Sequence, residues 1–291
     1  MWVRVLGSAA GGGSPQWNCG CEVCVNVRSG AAPPRTQSSI VVSPDRQRWF
    51  LFNASPDVLT QFASFPPLQP RSARESPVEA VFLTDAELDH TMGLLLLREA
   101  ESIRLHATPA VHKTLCDGSG LLTLLERYCQ VEWTPVVAGA VQSLTEGLTC
   151  SAFEVETSKR DRFGVGAGPG RVVGYRLHDA NTGGTLVYLP GVQQLTPQIR
   201  EQIESCTCLL IDGTCFRDDE LVRLGLAAKT SRQMGHTPVE ENLDLLGRRS
   251  GRTVFVHLNN TNPILLEGTP ERLAVEQNRL EVAVDGLEME V

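Results

Sequence analysis

No run in the 291-residue chain approaches the ~18 apolar residues of a membrane span, so no membrane partner is expected. The amino terminus, MWVRVLGSAAGGG, lacks the apolar stretch of a secretory leader, and a cytoplasmic location is the expectation. Positive charge is also short. Lys and Arg total 26 against 34 Asp and Glu, a net of −8, with the basic residues scattered. Such a surface repels phosphate backbones and argues against a nucleic-acid substrate. Internal repeats and long low-complexity tracts are missing. The nine cysteines are an odd number, which does not suit a disulfide framework. None is needed, because a chain this long hides roughly 75% of its unfolded surface on folding. With 42% hydrophobic and 21% charged residues, the composition is that of an ordinary globular protein.

What is present is a succession of short, β-branched apolar runs. Val3–Gly7, Ser38–Val42, Trp49–Asn53, Val78–Thr84, Ile103–Ala107, Thr185–Leu189, Cys208–Asp212 and Thr253–Leu258 read as strands. The tail EVAVDGLEMEV reads as a hairpin about Asp285-Gly286. Helices are expected at Thr91–Glu101, Ser119–Tyr128, Gln194–Ile203, Val239–Leu246 and Pro270–Gln277. Thr237 with Glu240 resembles a capping box, and Thr269 before Pro270 is a second cap. Pro66–Pro77 and the glycine-studded Gly164–Gly170 look like loops inside one domain spanning 1–291. Cys206 and Cys208 have strand spacing and are expected on one face of a buried strand. The pattern predicts a layered α/β (α+β) sandwich, with ligand-binding groups gathered where strands emerge from a sheet.

Three segments carry chemistry. Cys19, Cys21 and Cys24 sit at C-x-C-x2-C spacing on a loop covering about residues 14–30, and three thiols wrapped on one loop suit a soft cation. A structural zinc is expected there, pinning the long loop from Gly7 to Arg35, with one further ligand coming from elsewhere in the chain. Next, the strand ending Phe82-Leu83-Thr84 runs into Asp85, Glu87, Asp89 and His90 at the start of an apolar helix. Carboxylate plus imidazole suits a divalent metal, although an acidic capping turn that happens to contain a histidine has the same look. Finally, Val254–Leu258 delivers His257 to a polar, turn-rich end, Asn259-Asn260-Thr261-Asn262, and Leu209–Thr214 does likewise with Asp212. Three apolar strands each ending in a ligand or acid/base group is the arrangement of a metal cleft. His236, before a capped helix, reads as a ligand or an ordering group, whereas His106, His112 and His178 read as packing or surface residues. The early glycines, Gly7 to Gly13, match neither GxGxxG nor GxxxxGK[ST] and read as a close-approach turn.

These segments resemble the metallo-β-lactamase superfamily and, more narrowly, the pyrroloquinoline quinone biosynthesis protein B family. The resemblance rests on VLGSAAGGGSPQWNCGCEVC, RTQSS, LFNASPD, DHTMGLLLLRE, LLIDGT, MGH and VHLNNTNPIL, in order along nearly the whole chain. It implies an αββα sandwich with a metal site at one edge and cytosolic work in making a redox cofactor from a ribosomal peptide. The partners so implied are a small peptide or amino-acid-like substrate and other proteins of that pathway; the oligomeric state, a homodimer included, is left open. The activity implied is that of an iron-dependent oxygenase acting on a tyrosine of the excised precursor.

The chain also departs from the superfamily. The usual HxHxDH stands here as Asp85-Ala86-Glu87-Leu88-Asp89-His90, so only the final Asp-His pair survives. The next metal histidine has no match in EVETSKR (Glu154–Arg160), and the bridging aspartate none near Tyr188–Gly191. A two-zinc hydrolase is therefore not expected. What remains is one divalent metal, expected to be iron, held by Asp89, His90 and His257, with Asp212, His236, Asp85 and Glu87 placed to manage protons, contact substrate or steady the ligands. Elsewhere in the superfamily a thiolate site is completed by a histidine three residues after the last metal histidine; that position is Asn260 here, so Asn260 and His236 are the candidates for the fourth ligand of the cysteine cluster. A non-catalytic carrier of the quinone or an intermediate, and a residual metal-dependent hydrolase, are the alternatives to the oxygenase.

Overall fold

A computed structural model describes residues 1–165 and 168–291. The described strands form two seven-stranded sheets. The first takes β1 (Trp2–Gly7), β2 (Ser39–Ser43), β3 (Trp49–Phe52), β4 (Val78–Phe82), β5 (Ser102–Ala107) and β6 (Gln130–Pro135) in chain order. The second takes β7 (Val141–Thr145), β8 (Leu148–Glu154), β9 (Val173–Asp179), β10 (Thr185–Leu189), β11 (Cys208–Asp212) and β12 (Arg252–Val256), with β13 (Glu281–Val282) beside β12. The last strand, β14 (Glu288–Glu290), returns to the first sheet and pairs with β1. Pairing is antiparallel from β1 to β3 and from β7 to β10. It turns parallel from β3 to β6 and from β10 to β13, where helical crossovers intervene.

Side chains alternate along each strand, and the two faces bury against different layers. Leu210, Val254 and Val256 meet Phe52, Phe82, Tyr175 and Tyr188 between the sheets. Their neighbours Leu209, Ile211 and Phe255 turn outward onto Ile199, Ile203 and Val275 of the helices Pro197–Glu204 and Pro270–Gln277. The first sheet does the same with Val41, Leu51 and Val81 against Val58, Leu94 and Leu122. The result is the expected αββα sandwich. Both outer helices open as a Thr-Pro start permits: Thr196 Oγ1 accepts from Ile199 N and Thr269 Oγ1 from Arg272 N, with Pro at the first helical position.

Several details differ from the reading of the sequence. The tail is not a hairpin, because Val282 pairs with Phe255 in one sheet while Met289 pairs with Val3 in the other. The crossing is held by Asp285, whose carboxylate accepts from the backbone and hydroxyl of both Ser8 and Thr36. Thr237 closes no capping box; its hydroxyl accepts from Asn242 Nδ2, and the box forms at Thr230 and Gln233 instead. Cys206 and Cys208 are both core residues but face opposite layers, since the strand begins only at Cys208. The stretch from Gly7 to Arg35 contains a helix, Glu22–Arg28. The apolar segment after His90 breaks into two short turns of helix, Leu88–Thr91 and Gly93–Leu96. Of the expected loop Gly164–Gly170, Gly166 and Ala167 lie outside the described residues, and those on either side belong to no helix or strand.

Candidate metal centre

The parallel strands β4, β11 and β12 all deliver their carboxyl ends to one edge of the sandwich, above which opens a cleft of about 580 Å³. Beyond β4, buried Asn53 bonds Thr84 N at 3.0 Å and fixes the turn from which Asp85, Asp89 and His90 project. Asp212 ends β11 and Thr214 follows it; beyond β12 comes His257, in the left-handed region at φ 56°. A histidine held there is strain of the kind that collects at functional sites. Asp89, His90 and His257, predicted as ligands, each present an atom within 4.8 Å of the others'. Asp85, Glu87 and His236, predicted as their neighbours, line the same cleft, and Asp212 lies beneath, its carboxylate 2.7 Å from His236 Nδ1.

The three rings are anchored alike. His90 Nδ1 donates to Asp85 at 2.8 Å, His236 Nδ1 donates to Asp212 at 2.7 Å, and His257 Nδ1 lies 2.8 Å from Thr214 Oγ1. Thr214 has one hydroxyl proton, and Asp212 Oδ1, at 2.6 Å, takes it. The hydroxyl must then accept from His257 Nδ1–H, which leaves His257 Nε2 a bare lone pair. That lone pair faces Asp89 Oδ2 at 3.2 Å, two acceptors with no proton to share. His90 Nε2 is buried with no hydrogen-bond partner and stands 3.9 Å from the same oxygen. A buried space bounded by three acceptors and no donor fits a cation.

The electrostatics agree. Burial works against charge on Asp89, yet His90 and then His257 hold its carboxyl far below the usual range. Burial also lowers His90, but Asp85 and Asp89 together carry it up to about 9. Burial, with His90 and His236 beside it, keeps His257 low. Without a cation, then, the pocket takes up a proton on His90, which a metal would displace. Asp212, His236 and His257 form a second close group, but Thr214 Oγ1 already fills its middle, bonded to all three. That group orients rings.

The cysteine cluster lies around the corner. The sulfurs of Cys19, Cys21 and Cys24 each reach within 4.8 Å of the others. Gln16 N points at Cys24 Sγ at 3.4 Å and Cys21 N at Cys19 Sγ at 3.5 Å, as amides do around thiolates. Burial and the neighbouring thiols push Cys21 up to about 12; burial opposes the lowering of Cys19, but bonds from Cys21 and Cys24 bring it about. Asn260, on the turn after His257, stands here with its side-chain amide 3.2 Å from Cys24 Sγ and its carbonyl oxygen 3.4 Å from Cys21 Sγ. His236 is committed to Asp212 and Thr214, so of the two candidates only Asn260 lies beside the thiols, where its Nδ2 donates to Cys24 Sγ. Thr214, which ties two histidines to Asp212, was not foreseen; the one available signal was its place two residues past a strand-end aspartate.

Residues 48–258 match the model of the beta-lactamase superfamily domain. Curated relatives share the full length. The chain is 39% identical to Coenzyme PQQ synthesis protein B of Azotobacter vinelandii over 100% of both chains. It is 42% identical to the Azoarcus sp. protein of the same name over 99% of both. Among solved structures, Zn(2+)-bound PqqB from Methylobacterium extorquens superposes with a TM-score of 0.90 at 37% identity, covering 100% of each chain. A diphosphatase from the PhnP family shares the fold at a TM-score of 0.71 and 20% identity, over 100% of this chain and 97% of that one.

Proposed function

The chain belongs to the Coenzyme PQQ synthesis protein B family of the beta-lactamase superfamily, and from that premise we propose that it serves coenzyme PQQ synthesis as a mononuclear metal-dependent oxygenase, hydroxylating a tyrosine of a small precursor-derived peptide. Residues 1–291 would act as one unit, in company with other proteins of the pathway. The observation that carries the reading is the convergence of Asp89 Oδ2, His90 Nε2 and His257 Nε2 on one buried space, where a cation would replace the proton that His90 otherwise takes up. Two histidines and one carboxylate, with positions left open, form the donor set of non-haem iron, which would supply oxygen activation when bound. A structural zinc at Cys19, Cys21 and Cys24 would fasten the helix Glu22–Arg28 to the turn that follows His257.

The protein's own groups do the rest. Asp85 fixes the tautomer and tilt of His90, and Thr214 fixes His257. Asp212 holds His236 through Nδ1, which leaves Nε2 to take or return the proton of a bound phenol oxygen. The 580 Å³ cleft has room for an amino acid or short peptide.

The test begins with iron-loaded protein held without oxygen beside a tyrosine-containing peptide and a two-electron reductant such as ascorbate, followed by admission of oxygen, one atom of which would enter the substrate while the other leaves as water. The product should gain one oxygen atom, and His90→Ala and His257→Ala should abolish both iron binding and turnover while the fold, followed by circular dichroism, persists. Full activity in both variants would show that the centre is misassigned. Tight product binding without oxygen uptake would favour a carrier, and zinc-dependent hydrolysis without oxidation a hydrolase.

A further inference from the structure

The segment that has lost a superfamily metal histidine, Glu154–Arg160, places positive charge over the cleft instead. Lys159 Nζ sits 2.7 Å from Glu87 Oε1, and Arg162 Nε 3.4 Å from Glu87 Oε2, so one carboxylate serves two cations. Lys229 lines the same cleft and has no ion pair among the described residues. Two of the three lysines in a chain of net charge −8 therefore stand at this one opening. Arg162 meets Glu87 through Nε alone; among the described residues its two terminal nitrogens make no hydrogen bond. Asp161, next to it, spends both oxygens on backbone amides, those of Phe163 and Val165. The Arg162–Glu87 pair, with Arg162 71% exposed, adds little to stability, so folding does not require Arg162 at this place. Lys159, Arg162 and Lys229 share the opening with Glu87, while Asp85 and Asp89 belong to the metal site; cations grouped in this way attract an anion, and a free guanidinium fork suits a planar carboxylate.

We propose that Lys159 and Arg162 form a carboxylate clamp that orients the substrate, with Glu87 occupying the clamp until the substrate's own carboxylate takes its place. This deepens the functional reading above and rests on it for the substrate being amino-acid-like. Glu87 begins the turn that carries Asp89 and His90, and all three line the cleft, so a carboxylate anchored there would lie beside the centre.

The test is calorimetric binding of N-acetyl-L-tyrosine and N-acetyl-L-tyrosinamide, identical but for the charge, to the full-length protein. The acid should bind about tenfold tighter, the size of a charge-assisted bond at a half-exposed rim. Lys159→Met combined with Arg162→Gln should erase that preference, Lys159→Arg should keep it, and Glu87→Gln should tighten the acid alone by removing its internal competitor. A merely structural ion pair would give no gain in Glu87→Gln. His90→Ala should lose cleft metal yet retain the preference, so a failed oxygenase assignment and a failed clamp are told apart. Equal affinity for acid and amide, no binding of either at millimolar concentration, a preference untouched by the double variant, or tighter binding of inorganic phosphate than of the acid would each overturn the proposal.

Discussion

Each of the three imidazoles at the centre spends Nδ1 on a fixed partner, Asp85, Asp212 or Thr214, and keeps its other nitrogen for the cleft. Such partners commonly change metal affinity by 10–100-fold when removed. Asp85→Asn should therefore weaken cleft-metal binding by about that factor, read by competition with a chelator, while the cysteine cluster keeps its metal; unchanged affinity would mean that His90 needs no orienting group. Glu220 offers a prediction away from the ligands. Burial lifts its carboxyl to about 6 from 4.5 in spite of bonds from Thr261 and Phe216. Because the folded value is raised, the stability linked to its proton is complete below 4.5 and is lost as pH climbs through 6. Relative to the wild type, Glu220→Gln should gain about 2 kcal/mol between pH 4 and pH 7.5 in urea unfolding; a constant difference would contradict the shift. At this scale the sequence was informative where a polar residue ended an apolar strand, as Asp89 with His90 and His257 did. It was silent on Thr214 and on Lys159 and Arg162. A hydroxyl or a loop cation has no periodicity, and its meaning arises only from neighbours distant in the chain.

Elements bring the ligands together through a few close backbone approaches. Gly93 is one of them. A β-carbon there would lie 2.2 Å from the carbonyl oxygen of Ser55 and 2.7 Å from that of Ala54. The same contact carries two bonds, Ala54 N to the carbonyl of His90 and Gly93 N to the carbonyl of Ala54, which lock the ligand turn to the end of β3. Gly93→Ala should cost about 1–3 kcal/mol through overpacking and weaken cleft-metal binding with it. Urea unfolding and metal content check both, and an unperturbed variant would show that the turn is free to shift. The central strands and the Thr-Pro helix starts were legible because burial on two faces makes continuous apolar runs and capping has a fixed spacing. The strands β6 to β9 were missed. β6 and β7, the last strands of their sheets, are largely exposed and read as polar loop, while β8 and β9 mix small and polar residues with their core positions. Thr237 misled because the amides a capping box would use are taken from elsewhere in the chain, Glu240 N by the carbonyl of Phe216 and Thr237 N by that of Val192.

Across the whole molecule, the two sheets are tied by a tail that gives β13 to one and β14 to the other, with Asp285 bonded to Ser8 and Thr36 in the crossing. Local alternation and an Asp-Gly turn could suggest only a hairpin, since the choice between a neighbour and a distant strand is made by the sheets. The same long-range geometry separates two sets of soft and borderline ligands that one short segment connects: His257 looks into the cleft, and Asn260 stands at the thiols. The central claim is that these are two independent centres, one held by Asp89, His90 and His257 and one by Cys19, Cys21 and Cys24. Metal per chain, determined by elemental analysis on the wild type, on His90→Ala with His257→Ala, and on the triple cysteine-to-alanine variant, measures it most directly. Two equivalents in the wild type and one in each variant is the result predicted; two equivalents surviving the loss of both histidines would contradict it.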